Sequence, residues 1–199
     1  MNRSALVRRG KRLEYFTIVW NSTEGLVAVV AGVMAGSISL MAFGIDSFIE
    51  VVSGSVLLWR IAADSDKRGR ELREKLSLRV VGLCFIALGL YVAVDAVLAL
   101  ARREAPRHSI PGIVLAVVSL IVMPVLARAK RKVGVRLDSA ALVADSAQTQ
   151  FCVYLSAIML AGLILNATVG LWWADPAAAL SMVPLIAKEG IESLRGKRC

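Results

Sequence analysis

Residues 42–53 read AFGIDSFIEVVS, a run apolar enough to lie in a membrane that nevertheless carries two acids, Asp46 and Glu50. Four residues apart on an α-helix, their side chains stand one above the other on the same face, with Cβ atoms roughly 5–6 Å apart. An ionised acid at the centre of a bilayer costs about 2.5–3.5 kcal/mol on the mildest insertion scale, and two neighbouring like charges cost more. Unless the pair faces a solvated loop or a buried salt-bridge partner, it marks a functional site, and its spacing suits one shared positive ligand.

The rest of the chain supplies the membrane setting. Of 199 residues, 57% are hydrophobic, above the roughly 45–50% of soluble domains, and the mean hydropathy is +0.68. Six apolar segments, 15–34, 38–59, 80–101, 110–127, 139–165 and 171–186, each approach the roughly 20 residues a helix needs to span the hydrocarbon. The last is the weakest of the six. The expected fold is therefore an all-α integral membrane protein: a basic cytoplasmic N-terminus over 1–14, a six-helix transmembrane domain over 15–191 and a short cytoplasmic tail over 192–199. The longest connection is expected over 64–79, and the short ones make successive spans antiparallel neighbours.

Orientation follows from the basic residues. Lys and Arg number five in 1–14, seven in 60–79, five in 128–136 and four in 188–198, leaving only Arg102, Arg103 and Arg107 for the opposite side. The positive-inside rule then puts both termini in the cytoplasm, with the cell membrane as the expected location. A net charge of +9 raises nucleic acid as a partner. The charges sit in blocks between apolar segments rather than interleaved with aromatics on one surface, which argues against it. Cys84, Cys152 and Cys199 have no paired spacing, so neither a disulfide framework nor a zinc knuckle is expected.

Two further polar groups interrupt the apolar runs. Asn21 and Glu24 lie in the cytoplasmic half of the first span, where they line a path to the acids or pair with a basic loop residue. The same span carries Gly25, Ala28, Gly32 and Gly36 at helical spacing, a face that lets another helix approach closely. In the fifth span, Asp145, Gln148 and Cys152 are spaced i, i+3, i+7 along one stripe. Gln and Ser in membrane helices also serve as interhelical hydrogen-bonding groups, and a buried cysteine also packs as a small hydrophobe. The second and fifth spans echo one another, each with a Ser at its start and an Asp-Ser pair near its middle, as in transporters built from repeats. Asp175 before Pro176 reads as a helix start, and it is assigned a structural role.

Two carboxylates on one helix facing an amide and a thiol on another suit a divalent transition metal, with zinc compatible at about 2.0–2.3 Å. In a low-dielectric site two adjacent ionised acids are disfavoured, so without metal at least one is expected to hold a proton that metal binding expels. Alternation between metal and proton is what an antiporter requires.

The runs WNSTEGLVAVVAGVMAGSISLMAFGIDSFIEVVSG, LDSAALVADSAQTQFCVYLSAIMLAG and WWADPAAAL resemble spans one to two, five and six of the cation diffusion facilitators, in particular a small branch without the cytoplasmic domain. The resemblance implies a transported ion, usually zinc and sometimes manganese or iron, held by two residues four apart on span two and two on span five. Matched motif to motif, these are Asp46 and Glu50, then Gln148 and Cys152. The usual second pair is His or Asp followed by Asp, so the metal preference does not carry over directly; the soft thiolate favours a thiophilic ion. Asp145, Glu24 and Asn21 are candidate supports.

The resulting expectation is a homodimeric exporter of zinc in exchange for protons, with the bilayer as its setting, no resident cofactor, no nucleic-acid partner and no enzymatic activity. A membrane-embedded enzyme would need an intramembrane His, a nucleophile beside a base or a metalloprotease motif, none of which the sequence holds. The alternative is a non-transporting assembly protein whose buried polar residues only specify helix packing.

Overall fold

A computed structural model describes residues 3–62, 67–103 and 106–195, and the side chains within these except at 59–78, 80, 81, 140, 141 and 144. Residues 196–199, the second half of the expected tail and with it Cys199, lie outside the described residues, as do Asp64 and, among side chains, the basic cluster 60–79 apart from Arg79. The described residues form six helices: α1 Arg3–Ala35, α2 Ile38–Ala62, α3 Lys67–Arg102, α4 Ile110–Leu137, α5 Ala140–Val169 and α6 Ala174–Leu194. Five of them, all but α6, hold a stretch long and apolar enough to cross a membrane.

The helices overrun the apolar segments because the basic blocks are helical too. The connection expected over 64–79 is corrected to a shorter one: α3 already begins at Lys67. In the same way α4 runs through the block 128–136 to Leu137. Arg, Lys, Glu and Leu are good helix formers, and neither stretch contains a Pro to stop the propagation. Asp138 ends α4 in a left-handed conformation at φ 53°, one that Asp tolerates better than most residues.

The hairpin of α1 and α2 shows how sequence sets packing. Gly36 turns the chain at φ +66°, and Ser37 N–H closes back on the Gly32 carbonyl at 3.0 Å, satisfying a helix end. Gly25, Ala28 and Gly32 then face α2 so closely that a Cβ on Gly44 would lie 2.8 Å from Val29 Cγ2 and 2.9 Å from its backbone nitrogen. Ser37 and Ser139 each accept from the amide three residues on, Leu40 and Leu142, so a serine oxygen meets a free amide at the start of both α2 and α5.

α2 occupies the middle, touching α1, α3, α5 and α6. α1 packs on α2 and α4 on α5, as short connections require, whereas α3 takes α6 as its chief partner rather than its successor α4.

α1 reveals the solvent for which the bundle is built. Its buried stripe runs Glu14, Thr17, Asn21 and Glu24 before reaching Ala28, Ala31 and Ala35. Tyr15, Phe16, Val19, Leu26, Val30, Val33 and Met34 are exposed. Apolar side chains outside and ionisable ones inside invert the soluble pattern and fit a helix facing lipid.

Candidate functional site

Asp46 and Glu50 lie one turn apart on the buried face of α2, as their spacing requires. From α5, the fully buried Cys152 thiol sits within side-chain reach of both carboxylates. From α1, Glu24 lies within electrostatic reach of Asp46 and Glu50, and Asn21 lies beside Glu50. Ser47 donates to Glu24 Oε2 at 3.2 Å, fastening α1 to α2 between the two acids. A sixth group comes from α6, where Glu189 is within electrostatic reach of Asp46.

Several of these atoms are buried without a hydrogen-bond partner: Glu24 Oε1, Glu50 Oε2 and both polar atoms of the Asn21 amide. A buried polar atom left unpaired costs on the order of 1–3 kcal/mol, so such a cluster is uncommon in a purely structural core. Among the described residues no three His, Cys, Asp or Glu side chains already converge tightly enough to hold a metal ion. Asp46, Glu50 and Cys152 are neighbours that have not closed on one point.

Gln148 and Asp145 occupy different surroundings from Cys152. The Gln148 side-chain oxygen accepts from Ser53 on α2 at 2.8 Å, and its nitrogen is buried and unpaired. Its neighbour Thr149 reaches Glu50 instead, donating to Oε1 at 2.6 Å. Asp145 Oδ2 accepts from Lys130 Nζ at 2.5 Å.

Lys130 is the feature that sequence reading missed. Its ammonium is fully buried, paired with Asp145 and with Glu14 Oε2 at 3.3 Å, and it donates to Thr149 Oγ1 at 3.3 Å. Three helices, α1, α4 and α5, meet on this one charge. The block 128–136 reads as a solvated topology signal, and Glu14 as the end of a basic terminus. The signal that finds Lys130 is helical period: Met123, Leu126, Ala127, Val133 and Gly134 are its buried companions on α4, three and four residues apart. Glu14 falls in the same way on the stripe Gly10, Glu14, Thr17, Asn21. Lys130 is the one buried cation among the described residues, against Glu14, Glu24, Asp46, Glu50 and Asp145 in the same half of the core.

The other end of the bundle is held by Asp175. Sequence reading makes it the cap of its own helix, but α6 begins one residue earlier and has no side-chain cap. Asp175 instead accepts from Ser37 Oγ at 2.6 Å, Ser39 Oγ at 2.5 Å and the Ile38 amide at 2.8 Å. It therefore caps α2 from across the bundle, and its structural assignment stands with a different helix. His108 is exposed in the loop before α4.

A helical bundle that shows apolar side chains outward and gathers carboxylates, an amide, a thiol and an ammonium within is an integral membrane protein with a polar intramembrane core. Comparison with known proteins narrows the class. A family model described as the cation efflux transmembrane domain matches residues 16–196. The chain belongs to the cation efflux family. It is also similar to the uncharacterized transporter MJ0449 of Methanocaldococcus jannaschii, with 26% identity over 178 residues covering 86% of this chain. The match spans 62% of that relative's length.

Proposed function

We propose that the protein exports a divalent transition-metal ion, zinc, from the cytoplasm in exchange for protons, with Asp46, Glu50 and Cys152 as the ligands that carry it. The observation that bears most weight is the burial of Asp46 and Glu50 beside Cys152, with Glu50 Oε2 unpaired. Family membership supports a cation as cargo. Oxygen donors with one thiolate fit zinc better than magnesium or calcium.

The charge inventory supports the exchange. In the half of the core away from Asp175, five buried acids against one buried ammonium among the described residues leave a deficit of positive charge that a low-dielectric medium tolerates poorly. Protons or a divalent ion relieve it. Both compete for the same oxygens, so occupancy by one displaces the other. Binding the ion requires the carboxylates and thiol to close on it. In this reading Gln148 supports the site through Ser53, while Glu24 and Asn21 line its α1 side and Asp145 acts through Lys130.

An assembly protein whose polar residues only specify packing would gain from pairing them, and the unpaired oxygens of Glu24 and Glu50 speak against that alternative. We further propose that both termini face the cytoplasm, that the protein resides in the cell membrane and that it works as a homodimer, with no resident cofactor and no catalytic residues.

Zinc flux into proteoliposomes under an imposed pH gradient tests the reading. Native protein should take up zinc in proportion to the gradient, and Asp46→Ala and Glu50→Ala should each reduce uptake to the level of empty vesicles. Uptake unchanged in both variants would falsify the assignment.

A further inference from the structure

The Lys130 cluster is joined to Glu50 by one hydroxyl. Lys130 Nζ donates to Thr149 Oγ1 at 3.3 Å, and Thr149 Oγ1 in turn donates to Glu50 Oε1 at 2.6 Å. A threonine hydroxyl has one hydrogen and two acceptor lone pairs. With the ammonium on one lone pair, that hydrogen is turned outward to the carboxylate. Its other acceptor, the Asp145 carbonyl at 3.2 Å, belongs to the preceding turn of its own helix. Donation to that carbonyl is the usual resting arrangement of Thr in a helix.

We propose that Lys130 and Thr149 are positioning residues for cargo binding: the chain from ammonium to hydroxyl pins Glu50 Oε1, leaving Oε2 as the oxygen that meets the ion. Oε2 is buried and has no hydrogen-bond partner, the state expected of an atom held for a ligand. Lys130 is itself held from both sides, by Asp145 Oδ2 and by Glu14 Oε2 at 3.3 Å. The position of Glu50 is thereby referred to α1 and α4 as well as α5. Glu14 also lies beside α2, since a Cβ on Gly54, one turn beyond Glu50, would come within 3.4 Å of Glu14 Oε2. The inference rests on Glu50 being a ligand, as proposed above.

The test is zinc titration of the full chain in detergent micelles, with thermal unfolding followed on the same samples. Thr149→Val removes the hydroxyl at nearly constant shape and leaves the Lys130–Asp145–Glu14 ion cluster in place. It should weaken zinc binding by about tenfold or more, as loss of a hydrogen bond to a charged group implies, with the unfolding temperature retained. Thr149→Ser should restore native affinity, a rescue that a packing role for the methyl group would not give. Lys130→Met should weaken binding as well, and if it does not fold, the Thr149 pair decides. Native zinc affinity in Thr149→Val overturns the inference. Asp46→Asn separates the two levels: if it abolishes binding while Thr149→Val does not, only the positioning role falls. If native protein binds no zinc, both readings fall.

Discussion

Cys152 differs in kind from the other candidate ligands, because a thiolate prefers soft ions whereas carboxylates do not discriminate in that direction. Cys152→Ser keeps a small polar group at a fully buried position but replaces a soft sulfur that can ionise with a hard, neutral hydroxyl. Cadmium affinity should fall about tenfold more than zinc affinity, as read by competition titration of the two ions. An unchanged cadmium-to-zinc ratio would mean that the sulfur does not touch the cargo. Single residues were legible in the sequence where their surroundings made them improbable. Asp46 and Glu50 stand out because every neighbour within a turn is apolar or small. Glu14 and Lys130 are chemically just as costly to bury, but they sit in stretches where charge is the local norm. What distinguishes them is register against apolar residues on the same face, and that becomes decisive only once the helix is known to continue that far. Glu189 escaped for the same reason, sitting in a charged stretch of α6.

Helices are fixed here by their ends and by close approach. The start of α2 depends on Asp175, which receives three hydrogen bonds from Ser37, Ile38 and Ser39 and is fully buried. Asp175→Ala removes the acceptor of all three, leaving the Ile38 amide unpaired and the two serine hydroxyls only each other at 3.5 Å, and should lower stability by about 2–4 kcal/mol, measured by denaturant unfolding in micelles, although the residue is far along the chain from α2. The α1–α2 contact depends on Gly44. Gly44→Val should separate the two helices, because even the first added carbon meets a backbone nitrogen at 2.9 Å, and overpacking of this kind costs about 1–3 kcal/mol or more. The small-residue face of α1 was legible at Gly25, Ala28 and Gly32, which recur at helical spacing, whereas Gly36, read as its fourth member, lies past the helix end and turns the chain instead. Helix length was not: hydropathy registers where lipid contact stops, whereas α3 and α4 continue through residues that are polar and good helix formers. Nor did the sequence disclose that α3 would choose α6, a choice made by small residues on both sides. A Cβ on Gly82 would lie 2.9 Å from the Gly190 carbonyl.

For the whole molecule, the all-helical membrane architecture follows from the sequence because a backbone in lipid has few ways to satisfy its hydrogen bonds. α6 remains the exception, with Asp175, Lys188, Glu189 and Glu192 diluting its apolar content. The proposed orientation makes a direct prediction. In a cysteine-free background, His108→Cys, at an exposed position in the loop before α4, should react with a membrane-impermeant maleimide on intact cells. Arg136→Cys, at the exposed end of α4, should react only after permeabilisation, and the opposite pattern would reverse the proposed direction. The ion cluster on Lys130 also has a consequence for biogenesis. Glu14 leaves the ribosome more than a hundred residues before the lysine that neutralises it, a delay on the order of ten seconds at about 5–20 residues per second. During that interval Glu14 has no partner on α4, and the nearest ammonium is that of Lys11 on its own helix, three residues earlier. The buried cluster that joins the first helix to the rest can close only after the fourth and fifth helices have been made.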